Sequence, residues 1–167
     1  MATQTGDKDN FRPVGICNVN FNETDMGFTK GDVLMKIEKV DDYNREIDAY
    51  VGSPVQRFSG GRKISVMCPM LETDMTKLAL VMPDGTDEST TFVFGEQAGE
   101  EIVGYELVLT PMAATDFTIT IYKAVPTVNL DWIYNHKSEK IVPVLFDGLM
   151  DTTRSEGDML FKFYAAE

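Results

Sequence analysis

Hydrophobic and polar residues alternate along most of the chain with a period of two, the spacing that puts one face of a strand in a core and the other in solvent. Cys17, Val19 and Phe21 share a face of the segment from Val14 to Phe21. Val33, Met35 and Ile37 stand opposite Asp32, Lys36 and Glu38 along Asp32 to Lys39. The same alternation recurs from Lys63 to Cys68, from Val103 to Thr110 and from Phe117 to Val125. Shorter apolar runs at Thr90 to Phe94, Val128 to Tyr134, Ile141 to Phe146 and Met159 to Tyr164 complete the predicted strands. Only one segment follows a helical period: Leu71, Met75, Leu78 and Met82, opened by Thr73 or Asp74 as a cap and closed by Pro83-Asp84-Gly85.

Turn residues separate these elements. Asn22 to Gly31 is polar with glycine at Gly27 and Gly31 and reads as a loop, and Gly52-Ser53-Pro54-Val55 and Ser59-Gly60-Gly61-Arg62 read as further breaks. Asp41-Asp42-Tyr43-Asn44 is placed to turn Asp32–Lys39 into Arg45–Tyr50, a hairpin whose polar face would carry Asp32, Lys36, Glu38, Glu46 and Asp48. Many short strands with one helix predict a mainly β fold, a β-sandwich or partly closed barrel with one short flanking α-helix. The expected organisation is a polar N-terminal arm over residues 1–12 and a single β domain over 13–167, since no repeat or compositional break divides the rest.

Composition narrows the function. The chain has 167 residues, enough for one domain with a sizeable core, and its 15 basic and 27 acidic side chains leave a net charge of −12. Such a surface repels nucleic acid on average. No apolar run long enough to span a bilayer is present, and the first ten residues lack the apolar stretch of a secretory signal, so a soluble cytoplasmic product with no membrane partner is expected. Cys17 and Cys68 belong to no paired or metal-spaced motif and read as reduced, half-buried thiols.

No catalytic motif emerges. His136 is the only histidine and falls in the polar turn Asn135 to Ser138, without a nucleophile motif beside it. The phosphate-loop, dinucleotide, zinc-protease and nucleophile-elbow patterns are absent. Gly60-Gly61-Arg62-Lys63 lacks a following helix to complete a phosphate cradle, and the acidic clusters lie in loops without an apolar pocket to raise a carboxylate pKa. The expectation is a non-enzyme with no catalytic, metal or cofactor residues.

The order of features carries more than any single one. Gly27-Phe28-Thr29-Lys30-Gly31-Asp32-Val33, a charged hairpin to Asp48, Gly52-Ser53-Pro54-Val55, then Gly60 and a strand into Leu71-Glu72 and the helix, resembles the opening of the tail tube (major tail) proteins of tailed bacteriophages. The likeness spans Gly27 to Met82, and departs from the usual pattern at Asp32, where a glycine is common, and at Val51, inserted before Gly52.

The resemblance implies a virion structural protein, made in the host bacterial cytoplasm and housed in the tail. Its subunits would form homo-hexameric rings that stack into a tube around a tape measure protein, between tail initiator and terminator proteins, with genome DNA passing through unbound. If the acidic hairpin face turns inward, Asp32, Glu38, Glu46 and Asp48, four acids against the single base Lys36, line the lumen; turned the other way, the same charges lie on the outside of the tube. The resemblance places subunit contacts at Asp7 and Phe11 of the arm and at Asp41, Asp42 and Tyr43 of the hairpin. Two alternatives share the β-rich acidic character: another ring-forming virion part such as a terminator, neck or baseplate component, and a soluble β-sandwich binding module using Trp132, Tyr134 and Tyr122.

Overall fold

A single long strand organises the molecule. In the computed structural model, which describes residues 17–46, 54–71, 74–87, 91–94, 99, 101–112, 116–132 and 139–165, the strand β10 (Phe117–Val128) has neighbours along its whole length. The other elements, in chain order, are β1 (Cys17–Phe21), β2 (Thr24–Asp25), β3 (Leu34–Lys39), β4 (Tyr43–Glu46), β5 (Pro54–Phe58), β6 (Arg62–Met70), α1 (Met75–Val81), β7 (Gly85–Asp87), β8 (Phe92–Phe94), β9 (Tyr105–Pro111), β11 (Val142–Leu149) and β12 (Phe161–Ala165). One edge of β10 pairs with β9. The other is shared, β12 taking Phe117 to Ile121 and β11 taking Lys123 to Val128.

This division makes two layers from one antiparallel sheet. The sheet runs β2-β1-β9-β10-β11-β6-β3, with β12 added to β10, and does not close into a barrel. The β10–β9 register shifts between Ile121 and Ala124, a bulge of the kind that lets a strand leave one layer and enter the next. The layers meet through alternate side chains: Phe21 of β1 packs on Phe146 of β11 with ring centroids 4.9 Å apart, and both rings are fully buried. Leu107, Ile121, Val66 and Val144 fill the same core. The fold is thus mainly β and sandwich-like, with one short helix among the described residues.

Local chemistry explains most element boundaries. Asp74 caps α1 by accepting a hydrogen bond from the Lys77 amide at 2.9 Å, and Leu78 and Val81 turn the helix onto the core. β10 is longer than its sequence suggests: the strands expected at Phe117–Val125 and Val128–Tyr134 are replaced by one strand ending at Val128, while residues 129–132 are not strand and 133–138 lie outside the described residues. Pro126 does not break β10, because beyond Ala124 the strand has no partner on the β9 side and its missing N–H costs no ladder bond there. β11 likewise runs on through Asp147 and Gly148, past the end of the apolar run expected at Phe146. A Cβ on Gly148 would fall 2.4 Å from Cγ2 of Ile64 on the neighbouring strand β6, so glycine leaves room there for the Ile64 side chain.

The segment expected to be one loop, Asn22 to Gly31, opens with a tight hairpin. Asn22 and Glu23 both have positive φ (49° and 61°) and return the chain from β1 into β2.

Cys68 is fully buried on the core face of β6, and burial pushes its thiol up to about 12. At pH 8 only about one part in ten thousand of such a thiol is thiolate. Alkylation followed by mass spectrometry is therefore expected to modify Cys68 only after unfolding, with half-buried Cys17 reacting first; rapid labelling of Cys68 in the native protein would contradict its place in the core.

Candidate assembly surfaces

The predicted acidic hairpin forms with different partners. β3 pairs with β6, not with the segment after Asp42, and β4 pairs with β5. Strands β3 to β6 therefore make one long hairpin in two stages, a stem (β3–β6) inside the main sheet and a second pair (β4–β5) in a sheet of its own. Asp41-Asp42 is a junction between stages instead of the expected turn, and Ser59-Gly60-Gly61, between β5 and β6, is the irregular segment opposite it. Alternation fixes which face a strand buries but does not name its neighbour, which is why β3 was assigned to the wrong one.

Asp42 fastens that junction. Its carboxylate accepts from Lys39 Nζ at 2.5 Å and from the Gly60 amide at 3.3 Å, and pairs with Arg57 Nε at 2.9 Å, leaving the side chain 6% exposed. The hydrogen bond from Lys39, with further help from Gly60 and Arg57, holds the carboxyl below its ordinary range. Asp42, expected at a subunit contact, thus spends its carboxylate within its own chain. Asp41 is exposed beside it, and Tyr43 begins β4 opposite Phe58. Asp7 and Phe11 lie outside the described residues.

Of the four acids expected on one hairpin face, three are among the described residues, and these do not sit on one strand pair. Asp32 is exposed just before β3, Glu46 ends β4 in the other sheet, and Asp48 lies outside the described residues. Glu38 is on the solvent face of β3, bonded to Lys36 Nζ at 2.7 Å and in register with Lys63 of β6. The hydrogen bond from Lys36 lowers the Glu38 pKa, and the face around it carries more base than acid. Sequence reasoning missed Lys63 and Arg57 because their relevance depends on pairings made across the chain.

Among the described residues the main sheet has open edges at the short β2, at β3 and at β12, and the last two flank one cleft. β3 ends the main sheet, and β12 pairs on one side only. Between them lies an apolar cleft of about 390 Å³, with Val33 and Met35 on one wall and Cys17, Leu109, Ile119 and Phe163 on the others. Phe163 belongs to the core face of β12, since it pairs with Ile119, yet it remains 47% exposed. Leu34, on the opposite face of β3, is 62% exposed.

A third feature closes the outer face of the layer containing β12. The Tyr122 hydroxyl donates to Asp158 at 2.5 Å, Arg154 Nη2 donates to the other oxygen of the same carboxylate at 3.2 Å, and the Arg154 guanidinium stacks 3.6 Å from the Tyr122 ring centroid. These bonds, Tyr122 first, hold the Asp158 carboxyl below its ordinary range. A carboxyl depressed by folding stabilises above its unfolded value of about 3.9 and loses that contribution as pH falls through the folded value. Thermal unfolding is therefore expected to show a steeper loss of midpoint below pH 4 in the native chain than in Asp158→Asn; superimposable profiles would mean that this bracket does not contribute.

The aromatics expected of a binding module are occupied. Tyr122 is buried under Arg154. Trp132 donates its indole N–H to the Ile141 carbonyl at 3.2 Å and has Lys140 Nζ 5.0 Å from its ring. Tyr134 and His136 lie outside the described residues. Among the described residues no cluster of three His, Cys, Asp or Glu side chains is placed to hold a metal, and no helix is long and apolar enough to cross a membrane. No protein-family model matches the chain, and no curated protein sequence matches it significantly.

Proposed function

We propose that this chain is a structural subunit of a bacteriophage-type tail tube, assembling with copies of itself into hexameric rings that stack around a tape measure protein and conduct DNA without holding it. The observation that carries the reading is the two-stage hairpin β3–β6 on an open-edged sandwich: the segment with the family-like order of motifs also ends the main sheet at β3 and forms a two-stranded sheet of its own at β4–β5. Open edges on a folded subunit invite pairing with another chain, and joining unlike edges builds rings or filaments. The net charge of −12 supports a conduit to which DNA does not adhere.

The occupied state of Trp132 and Tyr122 weighs against the binding-module alternative. A terminator, neck or baseplate part differs from a tube protein in stopping at one ring. Sedimentation velocity and light scattering over a concentration series separate these: the tube reading expects species that grow with concentration and time beyond a single ring, whereas a plateau at one discrete ring would move the assignment to the other virion parts.

A further inference from the structure

We propose that the open edge of β3 in one subunit pairs antiparallel with the open edge of β12 in a second copy, in the register that sets Glu38 opposite Lys162. The inference rests on the self-assembly reading above and names the contact that reading leaves unspecified.

Three observations fix the pairing. The first is availability: β3 (Leu34–Lys39) and β12 (Phe161–Ala165) are nearly equal in length, contain no proline, and each has one edge without a strand partner among the described residues. The second is facing. Met35 and Ile37 are on the core side of β3, in register with buried Val66 and Ile64, while Phe163 is on the core side of β12. With Glu38 opposite Lys162, Ile37 comes opposite Phe163 and Met35 opposite Ala165, so one core face continues across both chains and the half-exposed Phe163 ring gains a neighbour.

The third is charge. The solvent row of β3 is Leu34, Lys36, Glu38, and that of β12 is Lys162, Tyr164. The proposed register places Glu38 against Lys162 and Lys36 against the Tyr164 ring, both favourable. Sliding the strands by two residues one way sets Lys36 against Lys162, and sliding them the other way leaves only three residue pairs. A parallel arrangement of full overlap again opposes the two lysines. Only one alignment combines full overlap, matched faces and opposite charges. Because the two edges are different, each subunit can offer β12 to one neighbour and β3 to another, a head-to-tail contact that closes into a ring.

Charge reversal tests it. Glu38→Lys and Lys162→Glu are each expected to raise the concentration at which assembly begins by about tenfold, and the double variant to return it towards the native value. Both side chains lie at the surface, and recovery in the double variant excludes simple misfolding. An independent reading mixes the single variants E38C and K162C under mild oxidation: covalent dimers form in the mixture and not with either variant alone. If native chains assemble but the charge variants assemble equally well and the mixture gives no cross-link, this pairing is wrong while the tube reading stands. If native chains stay monomeric at every concentration and the mixture gives no cross-link, the pairing fails together with unaided self-assembly.

Discussion

Replacing Phe146 by alanine is expected to destabilise the fold by about 3–5 kcal/mol, the cost of removing a buried aromatic ring and leaving part of its volume empty. Phe146 is fully buried on β11, and its ring lies 4.9 Å from that of Phe21, so it is one of the side chains through which the two layers touch. Phe21 in turn meets the edge of Tyr105 on β9, at 6.0 Å, which links three strands through one aromatic run. A domain of this size has total stability of roughly 5–15 kcal/mol, so the loss consumes a large fraction of it. Urea unfolding followed by circular dichroism gives the value. The neighbouring Leu145→Ala is the internal control, because Leu145 is on the opposite, partly exposed face. A Phe146→Ala loss no greater than that of Leu145→Ala would contradict the packing of the layers.

Gly60→Ala is expected to break the junction between the two stages of the hairpin. A Cβ at Gly60 would lie 2.2 Å from the Asp41 carbonyl oxygen and 2.9 Å from the Asp41 carbonyl carbon, backbone atoms of the facing segment that no rotamer change can move. The two junction segments must separate there, and the Gly60 amide must leave Asp42. The expected cost is about 1–3 kcal/mol, concentrated on β4 and β5 because these have no other sheet partner among the described residues. Hydrogen exchange should accordingly rise at least several-fold in β4 and β5 and remain native in β9 and β10. Gly61, whose φ is +89° and whose missing Cβ faces open space, is a test of a different kind: Gly61→Ala strains one residue without prising the strands apart. Unchanged protection of β4 and β5 in Gly60→Ala would contradict the two-stage hairpin.

The faces of the strands were legible because burial imposes a period of two. Val19 with Phe21, Ile64 with Val66, and Leu107 with Leu109 are buried as their alternation requires. The helix was legible from Asp74 and the Pro83-Asp84-Gly85 stop. Pairing was not, since a strand's alternation is indifferent to which neighbour completes its ladder. β5 is hidden in the sequence because Pro54 and Val55 adjoin the break at Gly52-Ser53, and its pairing with β4 depends on a neighbour that alternation does not name. β10 and β11 run past their expected ends at Pro126 and Gly148, where an unpaired side and a crowding cross-strand Ile64 make those residues suitable. Asp42 was singled out, but its bonds to Lys39, Arg57 and Gly60 depend on bringing together both sides of the junction.

Negative-stain electron microscopy of the purified chain over a range of concentrations and incubation times tests the central claim most directly. The account predicts hollow tubes of stacked rings, sixfold when viewed end-on, with stain filling a continuous bore. Solid filaments without a bore, or rings that never stack at any concentration, would contradict it.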